Sequence, residues 1–118
     1  MKLTTLADIL GSASAEAALL HLYHYGESYG RAVAADFGVS LDSVQKQLDK
    51  FERTGLLISK RQGRTLVFHW NPKSRAASRL RDLVGVYYES LSEEIHQEKL
   101  SVRRHHRSKD KPVIYDKP

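Results

Sequence analysis

Apolar residues along this 118-residue chain recur first with helical spacing, then alternate as strands do, then return to helical spacing. Leu3, Leu6, Ile9 and Leu10 predict a short helix over 4–10. Gly11 and Ser12 interrupt it, and Ser12 is placed to cap the next helix, with Glu16 near the positive end of its dipole. Ala15, Leu19, Leu22 and Tyr23 share a face with Ala18 beside them, so 13–25 reads as helix, ended by Gly26. Val33 and Phe37 stand one turn apart in a predicted helix over 30–37, whose Ala32, Ala34 and Ala35 let another helix come close. Gly38 supplies the positive φ of a sharp turn, and Ser40 caps a helix running to about Arg53. Leu41, Val44, Leu48 and Phe51 form the apolar stripe of that helix, and Gly55 stops it.

The pattern then changes. Residues 56–61 and 65–70 are rich in aliphatic, β-branched and aromatic side chains, with Gln62-Gly63 as a tight turn between two strands. Asn71-Pro72 ends the second strand, because proline has no ladder donor. Residues 75–98 predict one long helix, with Leu80, Val84, Tyr87, Leu91 and Ile95 as a narrow seam of the kind that pairs with another helix. The predicted fold is mainly α with a small β-hairpin: a winged helix-turn-helix with a long C-terminal helix. Residues 1–98 form the expected domain, with terminal helices for dimerisation, and 99–118 form a basic, flexible tail.

Composition narrows the class. A hydrophobic share of 41% supports a modest core. No apolar run approaches the roughly 18–20 residues of a membrane span, and MKLTTLADIL makes a poor signal peptide. Cysteine is absent, which removes disulfides and thiolate metal sites, and the expected location is the cytoplasm. Charge is segregated. Residues 1–44 are net −3, residues 45–81 carry ten Lys or Arg against Asp49 and Glu52 for a net +8, and 82–98 hold five acids without Lys or Arg. Residues 99–118 are net +5. The positive stretch coincides with the second helix of the turn motif and the hairpin, the footprint of a phosphate-binding face.

A helix enters the major groove of duplex DNA when its inner side chains are anchored and its outer ones are polar. The helix from Leu41 to Arg53 divides in that way. Ser43, Gln45, Lys46 and Gln47 near its start are the candidate base contacts, since Gln matches an adenine edge and Lys the acceptors of guanine. Lys60, Arg61 and Arg64 at the hairpin tip suit phosphates or the minor groove, with Ser40, Lys50 and Lys73 as further backbone contacts. Lys50 and Arg53 are equally suited to pair with Asp49 and Glu52 on their own helix.

The run SVQKQLDKFERTGLLISKRQGRTLVFHWNP resembles the winged-helix core of ArsR-type bacterial and archaeal transcriptional regulators. The features that match are Ser43-Val44 opening the reading helix, Leu48, Phe51, the Gly55-Leu56-Leu57 stop and the Gly63-Arg64 wing tip. YGRAVAADFGVS matches the family's preceding helix and turn, so the resemblance spans about residues 13–72. It implies base contacts from Ser43, Gln45, Lys46 and Gln47, wing contacts from Arg61 and Arg64, and a homodimer joined by terminal helices. Metal sensors of the family often carry cysteines near the first DNA-binding helix, and this chain has none. It also lacks a full Asp/His set at ligand spacing on the last helix.

The other candidate chemistry is thin. Six histidines, among them His21 and His24 three apart and His96, His105 and His106 near the C-terminus, make no strong metal signature. Tyrosines 23, 25, 29, 87 and 88 are expected in packing more than in a ligand pocket. No phosphate loop, H-E-x-x-H or nucleophile elbow is present, and nothing in the sequence places a Ser, a His and an Asp together, so no enzyme and no cofactor is expected. The expected function is a sequence-specific regulator of transcription, most often a repressor in the resembling family, that binds double-stranded DNA as a homodimer. The alternatives are a winged-helix protein adaptor and a non-specific DNA-binding protein.

Overall fold

The computed structural model describes residues 2–100. Among them the order is α1 (Leu6–Leu10), α2 (Ala13–Tyr25), α3 (Gly30–Phe37), α4 (Leu41–Arg53), β1 (Leu57–Gln62), β2 (Thr65–Trp70), α5 (Arg75–Glu89) and α6 (Glu93–Lys99). Helix α2 is the axle. It packs against α1, α3, α4, α5 and β2. Ala15, Ala17, Ala18, Leu19, Leu20 and Leu22 are all buried, so the helix is enclosed nearly all round and not along the single face expected of it. Tyr23, expected on that face, is only half-buried. Gly85 lets α5 approach it, since a β-carbon there would stand 2.8 Å from the Tyr23 hydroxyl.

Glu16 is fully buried within this packing. Its carboxylate accepts from the Leu3 and Thr4 backbone N–H groups at 2.8 and 2.6 Å and from the Thr4 hydroxyl at 2.6 Å. A buried carboxylate needs such donors. The residue expected to serve the helix dipole thus also ties the chain leading into α1 onto α2.

Helices α3 and α4 form the helix-turn-helix. Gly38, at φ +68°, makes the bend between them. Val33 and Phe37 from α3 meet Val44, Leu48 and Phe51 from α4 in one core. Leu41 leaves the predicted stripe: it lies in the first turn of α4 and is 39% exposed. At the other end Gly55, at φ +83°, closes α4. The Leu56 N–H bonds to the Phe51 carbonyl and the Gly55 N–H to that of Glu52, each at 3.0 Å, the Schellman pairing that satisfies the last carbonyls.

The wing is the antiparallel pair β1–β2, with Gln62 opposite Thr65. The turn is therefore Gly63-Arg64, one residue later than predicted. Gly63 takes φ +61°, the glycine-first arrangement of a two-residue hairpin. Ser28, in the link between α2 and α3, exchanges two backbone hydrogen bonds with Phe68 at 3.0 and 2.7 Å. That single rung fixes the wing to the helix-turn-helix.

The long last helix is corrected to two. The Ser90 hydroxyl donates to the Tyr87 carbonyl at 2.7 Å, and Ser92 caps α6 by accepting from the Ile95 N–H at 3.2 Å. Two serines flanking Leu91 offer the backbone local partners that compete with the helical ladder. The bend returns Leu91 and Leu100 to the core, 8% and 1% exposed. The expected seam is thus not a free face: Val84 and Leu91 are core residues, and Leu80, Tyr87 and Ile95 pack half-buried against the same core. Leu100, two residues past the predicted boundary, is packed in this core. The rest of the predicted tail, 101–118, lies outside the described residues.

Candidate nucleic-acid interface

Helix α4 begins at Ser40, whose Oγ accepts from the Ser43 N–H at 3.1 Å. That bond makes Ser40 a cap before it is anything else. Of the four expected base contacts, Lys46 stands furthest into solvent, held only by Asp42 at 3.5 Å with both side chains largely exposed. An exposed i,i+4 pair of this kind contributes little and is readily exchanged for phosphate or base. Ser43 and Gln45 are half-buried, and the Gln45 amide donates to Asp49 at 3.1 Å. Gln47 is different. Its side-chain oxygen is buried without a hydrogen-bond partner, so it does not present itself to a groove in this conformation.

The pairing of Lys50 and Arg53 with their own helix is not what the fold adopts. Asp49 accepts from Gln45, Glu52 accepts from the Ser59 hydroxyl, and the Lys50 ammonium lies 5.2 Å from the centre of the Phe51 ring. Arg53 is exposed. On the wing, Lys60, Arg61 and Arg64 are all exposed. Lys60 and Arg61 are consecutive in a strand and so project to opposite faces. Arg61 sits across from Leu66 and Lys60 across from Val67. Lys73, Arg75 and Arg79 are exposed around the start of α5, where Arg79 is 3.6 Å from Asp82. The cations thus ring α4 and the wing, while the negative groups on this side, Asp42 and Asp49, are engaged by neighbours on α4.

Between α3, α4 and β2 lies a cleft of about 410 Å³. Gln45 and Arg64, which the sequence placed in the DNA-binding set, are two of its walls.

Behind this face the fold assembles groups that the sequence did not bring together. The His21 ring links Asp36 Oδ2 at 2.8 Å through Nε2 to the Ser28 hydroxyl at 2.7 Å through Nδ1. An ionised carboxylate only accepts, so Nε2 carries a proton toward Asp36, and in the neutral ring the Ser28 hydroxyl then donates to Nδ1. These residues come from α2, the α2–α3 link and α3, spaced seven and fifteen positions apart, with no local signal to announce them. Ser28 and His21 are fully buried and Asp36 is 7% exposed, so the group has the members of a catalytic triad without access for a substrate. It fastens the helix-turn-helix to the axle.

A second cluster joins α2 to α5 and α6. His24 Nδ1 lies 2.6 Å from the Tyr88 hydroxyl, and His96 Nε2 donates to the Tyr88 carbonyl at 3.2 Å. Burial, then the proximity of His21 and His96, lowers the His24 pKa from 6.5 to about 4. Burial, then Tyr23, raises that of Tyr88. Among the described residues no group of three or more His, Cys, Asp or Glu is arranged to hold a metal ion, and no helix is long and apolar enough to cross a membrane.

No family model matches the sequence, and no curated protein matches it. Among solved structures, the chain is similar to the crystal structure of AntR, an antimony-specific transcriptional repressor, at 21% identity and a TM-score of 0.47. The likeness covers 63% of this chain and 66% of that one, so the chain spans just under two thirds of the protein it matches. Likeness at this level assigns this chain neither ligand nor operator.

Proposed function

We propose that this chain is a transcriptional regulator that binds double-stranded DNA in the cytoplasm as a homodimer, with α4 in the major groove and the wing on the backbone. The observation that carries the reading is the division of α4. Its inner side is locked into the core through Val44, Leu48 and Phe51, while Lys46, Lys50 and Arg53, which belong to the segment of net +8, are not among the core side chains. The resemblance of residues 13–72 to ArsR-type regulators supports the same assignment and makes repression the expected mode. Lys46, Gln45 and Ser43 are the proposed base contacts, and Arg61 and Arg64 the proposed wing contacts. Selection of bound duplexes from a random pool at near-physiological salt tests the proposal. An enriched inverted repeat is expected. A folded chain that enriches nothing is an adaptor or a non-specific binder instead.

With Val84 and Leu91 of the predicted seam buried in the core, exposed apolar side chains near it are the better candidates for the homodimer contact. Exposed apolar side chains on α5 are Leu83 at 39% and Val86 at 64%, three apart on one face, and Ile9 of α1 is 59% exposed. These are the proposed contacts. Leu83→Glu with Val86→Glu is expected to give a monomer by sedimentation with its melting temperature retained. A double variant that keeps the native mass overturns this assignment.

A further inference from the structure

The cleft between α3, α4 and β2 has a character that DNA contact alone does not explain. Its floor is apolar, built by Tyr29, Leu41 and Leu66, and Arg31, Gln45 and Arg64 stand around it. Leu41 is an exposed apolar side chain in the first turn of a helix whose outer side is otherwise polar. Gly30 keeps the space open: a β-carbon there would stand 2.7 Å from Gln45 Oε1 and 3.1 Å from Leu41 Cδ1. Asp42 is the one acid on the lining against Arg31 and Arg64, so the formal charge of the lining is positive. The first turn of α3 opens beside the same space without a side-chain cap.

The geometry points to this cleft as a binding site for a small amphiphilic anion, an aromatic carboxylate in class, with its apolar body on Leu41 and Leu66 and its charged head between Arg31 and Arg64. The volume lies within the range of roughly 300–1,000 Å³ typical of small-ligand sites. A phosphodiester would meet the arginines and leave the apolar floor in water, whereas an aryl carboxylate covers both. Gln45 and Arg64 are shared with the proposed DNA face, so a bound anion withdraws them from DNA. This competition rests on the DNA-binding reading; the ligand site itself does not.

The test uses the full-length chain, isotope-labelled, titrated by NMR with 1-naphthoate and separately with uncharged 1-naphthalenemethanol, without DNA. Saturable shifts at Gly30, Arg31, Leu41 and Leu66 are expected from naphthoate, with the alcohol weaker by roughly tenfold, the scale of one lost charge-assisted hydrogen bond. Arg31→Gln leaves the floor intact and is expected to weaken naphthoate by roughly the same factor. Gly30→Val is expected to weaken both probes; if it does not fold, Arg31→Gln decides alone. Absent shifts, or shifts only elsewhere, overturn the site. Equal binding of the alcohol, or an unchanged Arg31→Gln, overturns the anion. In a second arm naphthoate is added to the complex with a selected duplex. Release supports competition, and simultaneous binding of both overturns it. A chain that binds naphthoate here but no duplex refutes the DNA reading and keeps the site.

Discussion

Polar groups in the interior of this domain and polar groups on the outer side of α4 live under opposite conditions. Inside, His21 is held between Ser28 and Asp36 at 2.7 and 2.8 Å, and Glu16 accepts three hydrogen bonds. Outside, Lys46 has a single loose partner at 3.5 Å, and Arg61 is exposed on the wing. Burial forces the first group to find partners, because an unsatisfied polar atom without water is costly. Water satisfies the second group, so its residue types are unconstrained by folding and are available for a partner. The contrast separates residues that make the fold from residues that can serve a function.

Breaking the inner side should have the largest effect. Asp36→Ala leaves the His21 Nε2 proton without its acceptor in a site closed to solvent. A loss of about 3 kcal/mol in urea unfolding is expected. Asp36→Ala combined with His21→Leu should cost less than the sum of the two single variants, because with both partners gone neither end of their bond is left unpaired, while the partner lost by the Ser28 hydroxyl is common to the single and double His21 variants. Strict additivity would mean that the bond between them contributes nothing.

The outer side should respond in the other currency. Lys46→Ala with Gln45→Ala is expected to change stability by no more than about 0.5 kcal/mol. Affinity for a selected duplex should fall at least tenfold, in keeping with roughly 1–3 kcal/mol for each good base contact. Binding to random DNA should change far less. Equal losses on both DNAs would remove these residues from the base-reading set.

A smaller effect distinguishes the two faces of the wing. Arg61 pairs across the hairpin with Leu66, which lines the cleft beside α4, whereas Lys60 pairs with buried Val67. Arg61→Ala should lower the slope of log affinity against log salt by about 1, the signature of one lost phosphate contact. Lys60→Ala should leave it nearly unchanged. The reverse result would place the opposite face of the wing on DNA.

How much of this was legible in the sequence depended on whether the signal was local. Ser12, Ser40 and Gly38 mark helix ends through bonds to near neighbours, and those boundaries match the fold. Leu91 misled because its spacing from Tyr87 fits both a straight helix and a bent one. The flanking Ser90 and Ser92 were the available clue to the bend. Leu41 kept the period of the α4 stripe yet sits in the first turn beside the start of α3, 39% exposed, which no periodicity reports. The charge of the candidate face was plain from composition. Which side chains on it face outward was not, since Gln47 and Gln45 differ only in what packs beside them. The Ser28–His21–Asp36 group depends on three elements meeting in space and left no trace in local pattern.

His24 lies between these extremes and gives the smallest predicted effect. It is half-buried, with Tyr25, Tyr88, His21 and His96 around it and no carboxylate partner among its hydrogen bonds. Burial, reinforced by the two histidines, holds its pKa near 4, against 6.5 in an unfolded chain. Above pH 6.5 the folded and unfolded chains bind the same number of protons here, and His24 adds no pH dependence. As pH falls from 6.5 toward 4 the unfolded chain takes a proton that the folded chain refuses, so stability declines through that window and levels off below it. Solvent on the open side of the ring limits the size of the decline. Carboxylates begin to titrate in the same range, so the measurement is a difference. Melting temperature against pH for the native chain, minus that for His24→Gln, should slope between pH 6.5 and 4 and be flat above it. Parallel profiles would mean that the ring is protonated in the folded protein as readily as in water. The bond to Tyr88 would then join α2 to α5 without making the junction sensitive to acid.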